Sequence, residues 1–372
     1  MENYPLEFYT LTPLWTGDVD INSPRIQETS VIGSLRWWYR QILRSIPRYK
    51  DEFICDATAE DHEKRCSDDK NICPVCELFG CTGHARQFRL TVDGLENQDL
   101  FFVTHADVYP SNGNWLKNVW QGSKEGKGKE VKFFLAKKTL FLEPPRFFTV
   151  KVYPREPGRR GWQAVDRIKS LLGWVAHYGA LGARTQNGFG QIRLKTPVRA
   201  WPEEDFPDPS RFFSLTFELG TQLGRYQSQV RYVGQPPAGF ADHHRAPFIP
   251  CAFDLRYKTR SRNPYTGRVQ DVGLRFHFAK VFRSREVADL LFGETRAGKL
   301  KSRVHVSHIY RDEPNGPFRL KIFGFVPENA ETPNTKNIKQ EVINFLATKI
   351  NGEEIFPHIS LIDSFTQHDS DV

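Results

Sequence analysis

The sequence lacks long apolar runs: no segment approaches the roughly 18 consecutive apolar residues that a membrane-spanning helix requires. The first residues contain no basic region followed by an apolar stretch, so no secretory signal is predicted. Hydrophobic residues nevertheless make up 39% of the 372 residues, which is enough for packed cores and excludes a wholly disordered chain. We therefore expect a soluble, cytoplasmic protein that has no membrane partner.

Recognisable catalytic motifs are also missing. The sequence has no Ser/His/Asp arrangement, no metal-binding His-x3-His and no carboxylate pair on one face of a predicted helix. Its glycine-rich segment, residues 179–190, lacks the Gly-Lys-Ser/Thr end of a P-loop and follows a helix instead of opening one. We assign no catalytic residue from these patterns.

Positive charge is present in excess and is unevenly distributed. The net charge is +8; residues 115–200 contain 18 Lys/Arg against 5 Asp/Glu, and residues 256–303 contain 13 against 4. Two long basic stretches favour a polyanionic partner, although solvated basic faces would produce the same counts.

A long-period repeat indicates two similarly built domains. Leu78-Phe79-Gly80 and Leu291-Phe292-Gly293, 213 residues apart, are each followed by a turn and an alternating basic strand. In both halves the order of predicted elements is β-α-β-β-α-β. The fold class predicted is therefore α+β, with two tandem ferredoxin-like (RRM-like) domains that carry long insertions. The first spans residues 1–198, with a Cys-rich insertion at 47–77, and the second spans 210–372, after a proline-rich linker at 197–209.

The predicted elements have the following bounds. In the first half they are a strand at 4–14, a helix at 33–46, strands at 139–142 and 147–153, a helix at 162–178 and a strand at 189–195. In the second half they are a strand at 211–219, a helix at 284–291, the basic strand that follows the repeated Leu-Phe-Gly, a strand at 318–326, a helix at 338–350 and a strand at 355–362.

The glycine-rich segment has the chemistry of a phosphate cradle. Its glycines allow backbone N–H groups to approach an anion, and the side chains of the same loop add donors. A helix C-cap followed by a turn is the plainer interpretation, but it needs only one or two glycines. The candidate RNA contacts are Gly182, Arg184, Thr185, Gln186, Asn187 and Gly188.

A second candidate surface lies on the first predicted helix. Arg36 and Arg40 share one side with Trp37 nearby, which would suit stacking and phosphate contacts with single-stranded RNA, whereas Trp38 is expected in the core. Two buried tryptophans flanked by solvated arginines would explain the same pattern. The basic strands add Arg86, Lys301 and Arg303, either as a further phosphate track or as solvated strand faces.

Five of the six cysteines fall within 27 residues, which favours metal ligation over disulfides in a chain without a secretory signal. The predicted ligands of one structural zinc ion are Cys55, Cys66, Cys73 and Cys76. His62 could replace Cys55, and Cys81 is expected to lie outside the site. Reduced cysteines, some of them buried, remain the alternative.

Three segments together resemble the RAMP superfamily of CRISPR proteins: residues 29–40, the Cys-x2-Cys-x-Leu-Phe-Gly segment, and the glycine-rich loop. Within it, the Leu-Thr-Pro-Leu-Trp-Thr-Gly start and the Ile-Gly-Ser-Leu-Arg-Trp-Trp helix resemble the first RAMP subunit of type III-B (Cmr) effector complexes.

The resemblance implies two ferredoxin-like domains, binding near the 3′ end of the CRISPR RNA, and other subunits of an antiviral defence complex as partners. It also implies no nuclease activity, and it places Arg36, Trp37, Arg40 and 184–187 at the RNA. In related backbone subunits, cysteine clusters before the Leu-Phe-Gly are zinc sites. The alternative function is a metal-independent endoribonuclease that processes CRISPR precursor RNA, with His177 or Tyr178 as its acid/base. A scaffold that contacts only proteins is the third possibility.

Overall fold

The computed structural model of the chain describes residues 5–12, 14, 16, 26–49, 54–55, 66, 72–94, 146–183, 185–220, 252–256, 259–262, 269–293, 302–313, 316–326, 333–347, 349–350, 353–354, 356 and 358–365. These residues divide into two compact units. Among these residues, the first unit comprises those up to residue 94, those from 146 to 185 and Phe189–Phe212, and the second comprises Gln186–Gly188 and those from 213 to 365.

Among its described residues, the first unit contains one four-stranded antiparallel sheet and three α-helices. The strands pair in the order β2-β3-β1-β4, so the two central strands are β3 and β1. In chain order the elements are β1 (Leu6–Thr10), α1 (Glu28–Ser45), α2 (Pro74–Phe79), β2 (Phe88–Asp93), β3 (Arg146–Pro154), α3 (Arg159–Tyr178) and β4 (Ile192–Leu194).

The second unit contains another four-stranded sheet, in the order β12-β5-β9-β8, in which the β12–β5 and β8–β9 pairs are antiparallel. Two short hairpins accompany it. The elements are β5 (Phe212–Glu218), α4 (Ala252–Arg256), β6 (Thr259–Arg262), β7 (Val269–Val272), α5 (Leu274–Val281), α6 (Arg285–Phe292), β8 (Val304–Val306), β9 (Arg319–Phe325), α7 (Thr335–Leu346), β10 (Lys349–Ile350), β11 (Glu353–Glu354) and β12 (Ser360–Phe365).

The α+β class is confirmed, and several element bounds are corrected. Helix α1 begins at Glu28, five residues earlier than predicted, because its first turn is polar and gives no apolar period. The last helix ends at Leu346 and not at residue 350, and the last strand spans Ser360–Phe365. The predicted strand at 139–142 lies outside the described residues, and α5 was not predicted.

The proline-rich segment at 197–209 packs within the first unit. Trp201 and Asp205 are buried in it, and the indole Nε1 of Trp201 donates to the Asp205 carbonyl oxygen at 2.8 Å. The Asp205 carboxylate pairs with Arg48 and Arg167, and the Arg167 guanidinium also lies over the Trp201 ring at 4.2 Å. In the part of the chain that the structure describes, no helix has both the length and the apolar character needed to cross a membrane.

The core of the first unit centres on Trp38 of α1, which is 1% exposed, as expected from the sequence. Its ring packs edge-on against Trp174 of α3, with centroids 5.5 Å apart, and its Nε1 donates to the carbonyl oxygen of Ala180 at 2.7 Å. A β-carbon at Gly179 would overlap this indole, so only glycine allows so close an approach at that point.

Two glycines give a test of this packing. Gly190 has φ +82°, and a β-carbon there would overlap the carbonyl oxygen of Leu181, whereas Gly33 lies on exposed helix surface with nothing within 4 Å of its β-carbon position. We expect Gly190→Ala to lower the free energy of unfolding by at least about 2 kcal/mol. Gly33→Ala should raise it by about 0.5–1 kcal/mol. Denaturant unfolding followed by tryptophan fluorescence measures both, and equal effects of the two substitutions would contradict the packing described.

Candidate metal centre and nucleic-acid interface

The four predicted cysteine ligands form one buried cluster. The sulfur atoms of Cys55, Cys66, Cys73 and Cys76 all lie within 4.8 Å of one another. The Sγ of Cys55 is 3.3 Å from that of Cys76 and 3.6 Å from that of Cys73. Thiolates bound to one zinc ion at about 2.3 Å in a tetrahedron lie roughly 3.8 Å apart. The four side chains are therefore spaced so that they could hold one metal ion.

The start of helix α2 sets the geometry of the Cys-x2-Cys pair. Cys73 is the N-cap of α2, Pro74 occupies the first turn, and the Cys76 backbone N–H donates to the Cys73 Sγ at 3.5 Å. Proline suits this position because the first N–H of a helix has no partner within the helix. Both sulfurs consequently lie at the same end of α2.

Burial and the hydrogen bonds between these thiols give them different pKa values. Donation from the Cys76 thiol lowers the pKa of Cys73 to about 4, and the same bond, together with burial, raises the pKa of Cys76. Burial raises the pKa of Cys66 to about 11. Among these three thiols the negative charge is therefore concentrated on Cys73, and a bound cation would release the protons that the others keep.

Arg36, predicted as an RNA contact, lies beside this cluster. Its Nη2 donates to the Sγ of Cys76 at 3.5 Å, and the side chain is half-buried. Two turns further along α1, the Nη2 of Arg44 donates to the Ile54 carbonyl oxygen at 2.8 Å. Cys81 is half-buried and does not belong to the group of four, whereas His62 lies outside the described residues.

Helix α1 also holds the beginning of the glycine-rich loop. The Gly182 N–H donates to the Ser34 hydroxyl oxygen at 3.0 Å. Ser34 lies on α1, two residues before Arg36. Gly182 has φ +90° and is half-exposed, and Ala183 after it is exposed. The structure thus joins two motifs that the sequence analysis treated separately, the Ser-Leu-Arg-Trp-Trp segment and the glycine-rich loop.

The remainder of the loop is mostly buried. Thr185 and Asn187 are 9% and 3% exposed, Gly188 is buried, and Gln186 is half-buried. Arg184 lies outside the described residues. The assignment of these five residues to RNA contact stays a prediction, and the part of this loop that the structure describes reaches solvent chiefly at 182–183 and Gln186.

Residues 186–188 belong to the second unit, where buried polar groups fix them. Arg256 is fully buried; its guanidinium donates to the Gln186 carbonyl oxygen and, at 3.1 Å, to the Phe292 carbonyl oxygen. The backbone N–H of His308 donates to the Gly188 carbonyl oxygen at 3.2 Å, and its Nδ1 accepts from the Ala252 N–H at 3.1 Å. Sequence reasoning missed Arg256 and His308, since no motif marks either residue.

The other predicted contacts occupy varied environments. Trp37 and Arg40 are half-buried, and the Trp37 ring lies edge-on to Trp38. Arg86 donates to the Phe88 carbonyl oxygen at 2.8 Å, and burial together with the nearby Arg155 lowers its pKa. Arg303 is exposed. Lys301 lies outside the described residues.

The two side chains considered for acid/base catalysis lie at the end of helix α3. His177 is exposed, and its ring lies edge-on to that of Tyr178 with the centroids 4.3 Å apart.

Comparison with known proteins identifies one family. The model of the RAMP superfamily matches residues 7–193, which is half of the chain. Cmr1 from Pyrococcus furiosus is similar at 15% identity and a TM-score of 0.37, covering 92% of this chain and 97% of that one. A chain of the type III-B Cmr-beta structure bound to cognate target RNA and AMPPnP is similar at 12% identity and 0.38, covering 87% and 95%. TM-scores this low do not establish a common fold. The comparison with curated proteins found no match.

Two buried histidines, His305 and His308, predict how the stability of the second unit depends on pH. Burial lowers the pKa of His308 to about 3, and burial with the nearby Arg256 charge lowers that of His305 to about 3, from the usual 6.5. Between pH 3 and pH 6.5 each of these histidines is protonated in the unfolded chain and neutral in the folded chain, so the unfolded chain binds more protons. Stability is therefore lost as the pH falls below 6.5, by about 1.4 kcal/mol per pH unit for each histidine.

Denaturant unfolding between pH 7 and pH 5 measures this slope. We expect His308→Gln to reduce the slope of stability against pH by about the contribution of one proton. A wild-type stability that is flat over this range would contradict the prediction.

Proposed function

This chain belongs to the RAMP superfamily, and we propose that it is a non-catalytic, RNA-binding subunit of a type III-B CRISPR effector complex. It would bind the CRISPR RNA near its 3′ end and contact neighbouring subunits in the cytoplasm. The resemblance of residues 11–17 and 32–38 to the first RAMP subunit of Cmr complexes supports the choice of complex and of RNA end. The net charge of +8 supports a polyanionic partner.

One observation carries the proposal: the Gly182 amide and the Ser34 hydroxyl join the helix motif to the glycine-rich loop. This hydrogen bond places half-exposed Gly182 and exposed Ala183 beside helix α1, which carries Trp37 and Arg40. An indole and a guanidinium bind a ribose-phosphate strand by stacking and by phosphate contact. Arg184 follows Ala183 directly in the sequence and is our leading phosphate contact.

The topology supports a ferredoxin-like fold for both proposed domains, residues 1–198 and 210–372. If the four strands of each sheet are numbered in chain order, both sheets have the order 4-1-3-2. In the first unit α1 follows the first strand and α3 the third; in the second, α6 and α7 occupy the same places. That succession is β-α-β-β-α-β in each case.

We further propose that the cysteine cluster holds one structural zinc ion. A zinc ion with four thiolates has a net charge of −2, which is costly to bury without a compensating cation. The Arg36 guanidinium at the Cys76 sulfur supplies that positive charge, as hydrogen-bond donors around metal ligands commonly do. This contact favours a metal role for Arg36 and leaves Arg40 and Arg184 as the stronger RNA candidates.

Elemental analysis of the purified chain tests the zinc site. We expect one zinc ion per chain, lost in Cys73→Ser because a closed tetrahedral site needs all four ligands. Cys55→Ser should lose the metal as well, and His62→Ala should keep it, which decides between the two candidates for the fourth ligand. Cys81→Ser is the matched control and should retain zinc. A wild-type chain that contains no zinc, or a Cys73→Ser variant that keeps it, would refute this site.

Fluorescence anisotropy with labelled polyuridine tests RNA binding by the whole chain. We expect the logarithm of the binding constant to fall with the logarithm of salt concentration by about 0.7 per phosphate contact. Arg184→Glu removes one charge-assisted hydrogen bond to phosphate, so it should weaken binding by roughly tenfold or more. It should also reduce the salt slope by about 0.7, the contribution of one phosphate contact.

Arg199→Glu, at an exposed arginine outside both motifs, is the matched control for the change in net charge. If Arg184→Glu and Arg199→Glu lose the same RNA affinity, the loss comes from the change in net charge and not from a contact in the glycine-rich loop. A wild-type chain that does not bind RNA would refute the proposed function. Cleavage of labelled repeat RNA in chelator, abolished by His177→Ala, would establish the endoribonuclease instead.

A further inference from the structure

The first sheet has one buried face and one face that carries exposed aromatic rings. On β1 and β3, Phe8, Phe148 and Val150 are fully buried, so their face is the core. On the opposite face of β3, Phe147 is 40% exposed and Tyr153 is 38% exposed, two of the largest exposed hydrophobic side chains that the structure describes. Large rings left exposed on the central strand of a sheet call for an explanation, because burying them would be favourable.

The strand register places an arginine beside the rings at each end of this surface. Tyr9 on β1 pairs with Phe147 on one side and with Arg193 on β4 on the other. The Tyr9 and Phe147 rings meet edge-on at 5.8 Å, and the Arg193 guanidinium lies over the Tyr9 ring at 5.4 Å. At the other end, Tyr153 pairs with Arg89 on β2. We call this surface, built on Tyr9, Phe147, Tyr153, Arg89 and Arg193, the aromatic sheet face.

The remaining outward positions make this face cationic. Its two carboxylates each pair with a lysine: Glu7 with Lys195 at 3.1 Å, and Asp93 with Lys151 at 3.4 Å. Beyond these pairs Arg89 and Arg193 leave a net positive charge. The other outward residues in the described strands are threonines, and none is aliphatic.

We propose that the aromatic sheet face binds the bases of single-stranded RNA. Bases would stack on Phe147, Tyr153 and Tyr9, and the guanidinium groups of Arg193 and Arg89 would contact the phosphates between them. A four-stranded sheet with exposed rings on its central strands can stack two or three bases, and stacking accepts any base sequence. The proposal rests on the RNA-binding function proposed above and adds a second contact surface, separate from the glycine-rich loop.

The character of the face favours RNA over a protein partner. The core of a protein interface is depleted in lysine, glutamate and aspartate. This face carries the Lys195–Glu7 and Lys151–Asp93 pairs beside its rings. Planar bases joined by anionic phosphates match the alternation of rings on the central strands with arginines on the edge strands. Protein docking is accordingly the outcome that would count against the proposal.

The double variant Phe147→Leu/Tyr153→Leu tests this surface, because leucine keeps apolar bulk and removes the ring. We expect the dissociation constant for labelled polyuridine to rise at least about tenfold, the loss of two stacking platforms. The salt slope should stay unchanged because no phosphate contact is removed. Phe276→Leu, at a phenylalanine that is 47% exposed on α5, is the matched control and should bind like the wild type.

Photocrosslinking with 4-thiouridine-substituted polyuridine provides the second measurement, and we expect crosslinks in residues 6–10 and 146–154. Wild-type affinity in the double variant, with no crosslink in these strands, overturns the aromatic sheet face but leaves the proposed function intact. Retained RNA affinity with lost binding to another subunit also overturns it, by showing a protein-docking surface. A wild-type chain that binds no RNA at all overturns both proposals.

Discussion

The hydrogen bond from the buried Trp38 indole to the Ala180 carbonyl oxygen fixes helix α1 against the glycine-rich loop. Because this indole packs on Trp174 and leaves room only for glycine at residue 179, helix and loop cannot shift independently of each other. The same helix presents Ser34 to the Gly182 amide and Arg36 to the cysteine cluster. Both candidate sites of the first unit therefore depend on how one helix is packed.

Sequence reasoning succeeded where the signal was local. The apolar spacing around Leu35 and Trp38 predicted a helix with Trp38 in the core, and the spacing of the cysteines predicted the four whose sulfur atoms cluster in the structure. The alternation at 147–153 predicted strand β3 almost to its bounds. In each case the residues that define the pattern are close together in the sequence, so the pattern can be recognised without the tertiary structure.

The features that were missed or left open depend on distant parts of the chain. Whether Cys55 or His62 lies beside Cys73 depends on the path that the chain takes, and the spacing of the residues does not determine that path. Arg256 belongs to a basic stretch that reads as a solvated surface, yet it is fully buried and donates to backbone carbonyl oxygens. The exposed rings of β3 were part of a correctly predicted strand, but which of its faces is covered follows from the packing of the helices.

The strand order of the first unit has a consequence for how the chain is made. Strand β1 ends at Thr10, but both of its neighbours, β3 and β4, come from residues 146–194. A ribosome must therefore complete almost two hundred residues before this sheet can close, and β1 and β2 are without the strand that joins them until β3 is complete at Pro154. Such distant pairings slow folding, so the nascent first half would depend on chaperones for longer than a domain built from adjacent hairpins.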